Sequence, residues 1–133
     1  MSQEFYISGV DFDHSISVMD REQIDMLLMI DDGDDDSTSL VRELFELFQR
    51  ESSEKFKSLD AVCEANDIEA LRKIAHFVAG SAGNLGLARL SGFYRGIEQA
   101  IDNGTLTDLA QCAAPIQTAF REACEAFAAE FSV

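Results

Sequence analysis

Residues 66–104 read NDIEALRKIAHFVAGSAGNLGLARLSGFYRGIEQAIDNG, a pattern of two helices joined by a short turn. Apolar residues recur at steps of three and four on both sides of the turn, as expected for helices with one buried face. Asn66 with Glu69 three places on predicts the start of the first helix, and Asn103-Gly104 predicts a left-handed end to the second. Because the connection is short, we expect the two helices to be antiparallel neighbours.

Three further helices are predicted outside this stretch. Asp20 and Gln23 look like the capping box of a short cover helix that buries Ile24, Leu27 and Leu28 and ends at the acidic run DDGDDD, residues 31–36. From Leu40 to Cys63 the apolar spacing indicates one helix of about 26 residues, about 40 Å long. Thr107 is the predicted cap of a last helix, in which Pro115 marks a kink or a restart in a first turn.

The pattern predicts an all-α fold, an antiparallel up-down-up-down four-helix bundle with a short N-terminal cover helix. A chain of 133 residues has the size of one domain. We place an N-terminal extension at residues 1–19 and the bundle domain at residues 20–133. Within the extension, EFYISGVDF (residues 4–12) has a composition that allows an extended segment packed along the bundle.

Composition limits the function classes. A formal net charge of −15 argues against binding nucleic acid or an anionic membrane surface. The apolar run MLLMI is too short to span a bilayer, and the N-terminus lacks the features of a secretory signal. Cys63, Cys112 and Cys124 show no metal-binding spacing and fall on apolar helix positions, so we interpret them as core residues of a cytoplasmic protein. We expect a monomer.

The charge is unevenly distributed along the chain. Residues 70–97 contain no Asp or Glu but hold four basic residues, Arg72, Lys73, Arg89 and Arg95. His76 lies inside this cationic segment. Stepping about 100° per residue from Leu71 puts the ring near 140°, away from the apolar face, with Gly83 near 120° and Gly80 near 180°. We therefore predict an exposed imidazole with only glycine on its C-terminal side.

Such a ring suits nucleophilic chemistry. A free imidazole has an ordinary pKa of about 6.5 and is largely neutral at cytosolic pH, so it can attack a phosphorus atom presented by another protein without a general base. Phosphoryl transfer depends mainly on positioning and charge neutralisation. Arg72 and Lys73 flank the ring one turn earlier and are the candidate phosphoryl-binding or partner-binding residues, together with Gly80 and Gly83.

The motif AHFVAGSAGNLG resembles that of the histidine phosphotransfer (HPt) domains of two-component phosphorelays, in which a histidine is followed by two residues, lysine, glycine, serine and small residues. The resemblance extends from about Asp20 to Phe131 and includes the long second helix, the turn at residues 65–67, LARL and the Asn-Gly turn. It implies that His76 accepts a phosphoryl group from an aspartate of a response-regulator receiver domain and passes it to another receiver. It also implies a phosphoryl carrier that is not an enzyme, partnered by receiver domains or a hybrid histidine kinase.

By the same resemblance, the magnesium ion belongs to the receiver and this chain needs no cofactor. The exposed faces of the second and third helices form the docking surface, and Gly80 provides clearance for the partner. One position departs from the family pattern, because Ala79 stands where the family has lysine. Arg72 lies within about 20° of Ala79 on the helical wheel, and we hypothesise that it supplies the missing charge.

Two alternatives to a phosphoryl carrier stay open. Without the lysine, the chain could be a binding-only adaptor that docks a receiver or a histidine kinase, or an unrelated helical interaction protein with an accidental motif. Metal sites are disfavoured by the sequence. A di-iron bundle needs Glu-x-x-His, but Lys73 precedes His76 by three places, and the calcium-loop-like spacing of Asp11, Asp13, Ser15, Ser17 and Glu22 has Ile16 where glycine is needed.

Overall fold

The structure, a computed structural model, describes residues 7, 9–12, 15–30 and 39–131. Within these ranges there are helices and no strand. The helices are α1 (Arg21–Ile30), α2 (Ser39–Phe56), α3 (Leu59–Glu64), α4 (Ile68–Asn84), α5 (Ala88–Asn103), a short 3₁₀ helix (Leu109–Gln111) and α6 (Ala113–Phe131). The acidic run at residues 31–36 and His14 lie outside the described residues, as does the side chain of Leu28.

Helices α2, α4, α5 and α6 form the bundle. Between neighbouring helices, residue numbers rise along one helix as they fall along the other, which is the mark of antiparallel packing. The contacts join Arg72 with Asp102 and Gly83 with Ser91 (α4 with α5), Tyr94 with Ile116 (α5 with α6), Phe45 with Phe127 (α2 with α6), and Lys55 with Phe77 (α2 with α4). The all-α helical bundle is confirmed, and this order of contacts agrees with an up-down-up-down arrangement.

The predicted start of the histidine helix is displaced by one residue. Asp67, and not Asn66, is the N-cap of α4, and its carboxylate accepts a hydrogen bond from the backbone N–H of Ala70 at 3.2 Å. Asn66 adopts a positive φ of 54° after α3. Its side chain donates to the carbonyl of Thr107 at 3.0 Å and accepts from the N–H of Leu109 at 2.9 Å. Asn66 thus ties the α3–α4 connection to the start of the 3₁₀ helix.

The prediction of one helix from Leu40 to Cys63 is wrong, because Lys57 and Ser58 interrupt it as a turn. The Ser58 hydroxyl donates to the carbonyl of Lys55 at 3.2 Å. The Lys57 N–H donates to the carbonyl of Glu54, three residues back, and not to the residue four back as in an α-helix. A serine side chain that bonds nearby backbone competes with the helix ladder in this way. The apolar spacing continues across the break because the Ser58 backbone (φ −96°, ψ 0°) barely changes the chain direction.

Two other predicted caps also differ from the structure. Asp20 does cap α1, accepting from the N–H of Glu22 at 3.0 Å, but Gln23 does not complete a capping box. Instead, its amide donates to the carbonyl of Asn84 at 2.8 Å and ties the cover helix to the C-terminal end of α4. Before the last helix, Asp108 and not Thr107 is the cap, and it starts the 3₁₀ helix. The predicted restart is confirmed, with Pro115 in the first turn of α6.

The N-terminal segment packs along α5. Ile7 is 1% exposed, and the Phe12 ring lies 5.2 Å from that of Phe93. Gly92 and Gly96 of α5 face this segment, and a Cβ on Gly96 would lie 3.1 Å from the carbonyl oxygen of Asp11. The close approach therefore depends on glycine. The described residues before position 20 share the core of the bundle, while the domain boundary placed there stays a prediction.

The core between the helices is apolar and contains the cysteines. Cys63, Cys112 and Cys124 are buried with free thiols, as predicted. Burial raises the pKa of the Cys112 and Cys124 thiols to about 12 and also raises that of Cys63. In the part of the chain that the structure describes, no helix is both long and apolar enough to cross a membrane.

Candidate functional site

His76 lies in the middle of α4 and projects into solvent, with 68% of its side chain exposed. Its Nδ1 atom is 2.8 Å from Oε2 of Glu98 on α5. An ionised carboxylate can only accept a hydrogen bond, so this contact requires a proton on Nδ1. In a neutral ring the Nε2 atom is then unprotonated and carries the lone pair. The predicted exposure is confirmed, and the structure adds a partner that sets the tautomer.

Glu98 was not among the predicted site residues. Its side chain is only 13% exposed, and its Oε2 atom also lies 3.5 Å from Nη2 of Arg72. In sequence, Glu98 is the first acidic residue after the acid-free segment. It could have been found from the register of the α4–α5 hairpin, because His76 and Glu98 lie at similar distances on either side of the turn near Gly86.

Arg72 is held by carboxylates of α5. Its Nε donates to Oδ1 of Asp102 at 2.8 Å, and its Nη2 donates to Oδ2 at 3.1 Å. The hydrogen bond from Arg72 lowers the pKa of the Asp102 carboxyl, and the same bond raises the pKa of the guanidinium. We expected Arg72 to replace the family lysine. The two-pronged ion pair counts against that hypothesis, since the charge is already neutralised on the Nδ1 side of the histidine.

The two glycines of the motif lie in different surroundings. A Cβ added to Gly80 would meet nothing within 4 Å, so this position is open to solvent as predicted. Gly83 instead faces α5, where an added Cβ would lie 3.4 Å from Oγ of Ser91. Open space is therefore found at Gly80 and not at Gly83, while clearance of space for a partner at Gly80 stays a prediction. Gly83 belongs to the close packing of α4 against α5, because the helix crossing brings Ser91 over it.

Ala79, which the motif resemblance places at the position of the family lysine, is fully buried. Its carbonyl oxygen accepts a hydrogen bond from the hydroxyl of Ser91 at 2.9 Å. The methyl group of Ala79 thus packs at the α4–α5 interface and brings no charge to the surface around His76.

Two lysines near the ring have no acidic partner among the described residues. Lys73 is exposed one turn before His76 on α4. Lys55 projects from α2, and its ammonium nitrogen lies 4.5 Å from the ring centroid of Phe77. Phe77 itself is partly buried and packs against the core, which agrees with a packing role. The surface around His76 therefore carries less unpaired positive charge than the acid-free segment suggests, because Glu98 and Asp102 contact Arg72.

A shallow apolar groove runs between α2 and α4 on the C-terminal side of Gly80, with a volume of about 220 Å³. Its lining residues are Leu44, Leu47, Phe48, Glu51, Ser81, Asn84 and Leu85. Leu47 is 39% exposed, and Met26 and Met29 of α1 are 54% and 74% exposed. Among the described residues no group of three or more His, Cys, Asp or Glu side chains could hold a metal ion.

Comparison with known proteins identifies the family. The model of the Hpt domain matches residues 43–130, which is more than half of the chain. The chain belongs to the Hpt domain family. Hpt domains are the phosphocarrier modules of phosphorelays, and His76 lies within the matched residues.

A solved structure shares the fold of this Hpt protein. The crystal structure of histidine-containing phosphotransfer protein B (HptB) from Pseudomonas aeruginosa PAO1 superposes with a TM-score of 0.68 at 24% sequence identity. The alignment covers 86% of this chain and 95% of HptB, so the similarity extends over nearly the whole bundle. A search of curated proteins found no match.

Proposed function

We propose that this Hpt protein carries a phosphoryl group on His76, accepting it from an aspartyl phosphate of one receiver domain and passing it to an aspartate of another. The observation that carries the proposal is the ring itself. Its side chain is 68% exposed, its Nδ1 is held by Glu98, and Gly80, one turn later, adds no side chain, with open space where a Cβ would lie. Holding the ring in one orientation lowers the entropic cost of reaching the reactive geometry.

The transfer step follows from this geometry. The lone pair of Nε2 forms the N–P bond while the P–O bond of the partner's aspartyl phosphate breaks, and that electron pair leaves with the aspartate carboxylate. The ring becomes positively charged because it keeps its Nδ1 proton, and the Glu98 carboxylate that accepts this proton stabilises the charge. Reversal of the same steps against a second receiver delivers the phosphoryl group and restores the neutral ring.

The chemistry of the partner completes the proposal. The magnesium ion that neutralises the transferring group belongs to the receiver, so this chain works without a cofactor. Receiver domains, alone or within a hybrid histidine kinase, are the proposed partners, and the acidic surface of this protein excludes nucleic acid. A cytoplasmic monomer fits this role, since a carrier must meet its donor and its acceptor in turn.

Phosphorylation of a panel of purified receivers provides the test. Each labelled receiver is mixed with this Hpt protein, and the label is followed on the Hpt chain. We expect an acid-labile, alkali-stable phosphoryl group on His76 with a cognate receiver and no label on His76→Gln. A stable transfer to His76→Gln, or label on another residue, would contradict the proposal.

A binding-only adaptor is the second candidate, and two observations favour it. Ala79 is buried where the family has lysine, and Arg72 is paired with Asp102. An adaptor would bind a receiver or histidine kinase with micromolar or tighter affinity and leave His76 unlabelled. Binding measured by calorimetry beside the labelling assay separates the two functions.

A further inference from the structure

The phosphoryl group on His76 lacks the neighbouring cation that the family places three residues after the histidine. This matters because a phosphoryl group in transfer carries negative charge on its three outer oxygens, and neutralising that charge is a large part of the catalysis. Resting on the function proposed above, the inference concerns which residue of this chain supplies the charge.

The two basic residues nearest in sequence are poorly directed. Each Cα–Cβ bond of a helix tilts towards the helix N-terminus, so side chains lean over the turn that precedes them. Arg72 and Lys73 precede His76 by four and three residues, so their Cα–Cβ bonds tilt towards the turn before them, although the Arg72 guanidinium still lies 3.5 Å from the Glu98 oxygen that contacts His76. Arg72 is also bound to Asp102. A lysine at position 79 would lean back over His76, but Ala79 has no charge to offer.

Lys55 of α2 is directed the other way. Because α2 runs antiparallel to α4, a side chain that leans towards the N-terminus of α2 leans towards the C-terminal half of α4. The ammonium group of Lys55 lies above the ring of Phe77, the residue next to His76, at 4.5 Å from its centroid. Gly80, one turn after His76, adds no side chain of its own, and a Cβ added there would meet no heavy atom within 4 Å.

Lys55 is also free to respond. Its side chain is exposed, and no carboxylate pairs with its ammonium group among the residues that the structure describes. The Phe77 ring attracts the cation without neutralising it, since an aromatic face carries no net charge. A cation held in this way keeps its full charge for a passing anion.

We propose that Lys55 on α2 supplies the positive charge for the phosphoryl group on His76, in place of the lysine that the family carries on the histidine helix. Phe77 serves as the platform that keeps the ammonium group beside the site. The role of the family lysine is thereby moved to the neighbouring helix, and Ala79 is left free to pack against α5.

The test compares Lys55→Gln and Lys55→Arg with Lys57→Gln. Lys57 is a matched control because it is a lysine two residues away, 74% exposed, and paired with Glu54 at 2.9 Å. The measured quantity is the initial rate of transfer from a phosphorylated receiver at saturating receiver concentration. We expect a decrease of about fivefold to tenfold for Lys55→Gln, and rates within about twofold of wild type for Lys55→Arg and Lys57→Gln.

Affinity for the unphosphorylated receiver separates charge supply from docking. We expect Lys55→Gln to change the dissociation constant by less than about threefold, because the charge acts on the transferring group. Equal rates for Lys55→Gln and Lys57→Gln would overturn the inference, as would a Lys55→Arg variant as slow as Lys55→Gln. If wild type binds a receiver but is never labelled, the carrier function fails too, so the two failures are distinguishable.

Discussion

At the residue scale, Glu98 determines which nitrogen of His76 is unprotonated and available to a partner. A free imidazole distributes its proton between two nitrogens, and each tautomer offers a different atom to a partner. The 2.8 Å contact with Glu98 assigns the proton to Nδ1. The Glu98 side chain is only 13% exposed, and its Oε2 atom also lies 3.5 Å from Nη2 of Arg72.

Replacement of Glu98 tests this assignment. We expect Glu98→Ala to increase the fraction of the Nε2-protonated ring and to slow transfer by about threefold to tenfold, because one charge-assisted hydrogen bond is lost. Ring ¹⁵N chemical shifts measure the tautomer, and the receiver assay measures the rate. Asp102→Asn is the control, since it loosens Arg72 but leaves the Glu98 carboxylate in place. An unchanged tautomer ratio in Glu98→Ala would count against the role of Glu98.

Substitutions at Gly80 are expected to change stability and phosphoryl transfer in opposite directions. In a helix interior, replacing glycine with alanine raises stability by about 0.5–1 kcal/mol when nothing clashes. A Cβ at Gly80 meets nothing within 4 Å, so we expect Gly80→Ala and Gly80→Gln to fold at least as stably as wild type. Transfer should decrease in the same order, because each larger side chain fills more of the space that a receiver must enter. Urea denaturation and the receiver assay measure the two effects, and equal transfer by Gly80→Gln would refute the clearance role.

At the scale of elements, the ends of helices were harder to predict than their faces. The apolar positions of α4 and α5 follow from spacing alone, since burial repeats with the helical period. The position of a cap depends on which of two adjacent polar residues turns inwards. Asn66 and Asp67 are both good caps in isolation, and Asn66 is drawn away by the backbone of Thr107 and Leu109, which are distant in sequence. Local pattern carries no information on that contact.

The same reasoning separates the predicted from the missed parts of the site. His76 and Gly80 were found because both belong to one helix, where the wheel gives their direction. Glu98 and the pairing of Arg72 depend on the register between α4 and α5, and the position of Lys55 depends on the packing of α2. A single helix pattern fixes directions around its own axis but not the neighbours that it meets.

Asn66 offers a test of how the elements are joined. Asn66→Ala loses two side-chain hydrogen bonds and places alanine at a positive φ, so we expect it to lower the free energy of unfolding by about 2–3 kcal/mol. Asn66→Gly loses the same hydrogen bonds but tolerates the backbone angle, so it should cost about 1 kcal/mol less. Urea denaturation of the two variants gives the comparison. Equal losses would show that the backbone angle at position 66 does not contribute.

At the scale of the whole molecule, acidic residues from outside the acid-free segment pair with basic residues inside it. The site around His76 therefore has less unpaired positive charge than the segment contains. Residues 70–97 form most of the α4–α5 hairpin, and Asp102 follows just after that segment to neutralise Arg72. The fold therefore leaves fewer unpaired basic residues on the surface than the linear sequence predicts. Lys55 on α2, Lys73 on α4 and Arg95 on α5 are exposed cations with no ion pair among the described residues.

The buried cysteines report on the integrity of the bundle. Burial raises the pKa of the Cys112 and Cys124 thiols to about 12, so almost no thiolate forms at pH 8, and access is blocked as well. We expect a thiol reagent such as Ellman's reagent to leave the folded protein unmodified at pH 8 and to react with three thiols in concentrated urea. Rapid reaction in native buffer would show that the bundle opens more readily than its packing implies.

The ring of His76 contacts Glu98 through Nδ1, while 68% of the side chain is exposed. Only one nitrogen of the ring is therefore available to partner proteins. On the proposed function, donor and acceptor both approach the Nε2 atom, so one must dissociate before the other binds. Phosphorylated His76 must then persist for the time between the two encounters. On that proposal the protein is a shuttle that binds one receiver at a time, and an excess of unphosphorylated receiver is expected to occupy it and slow the relay.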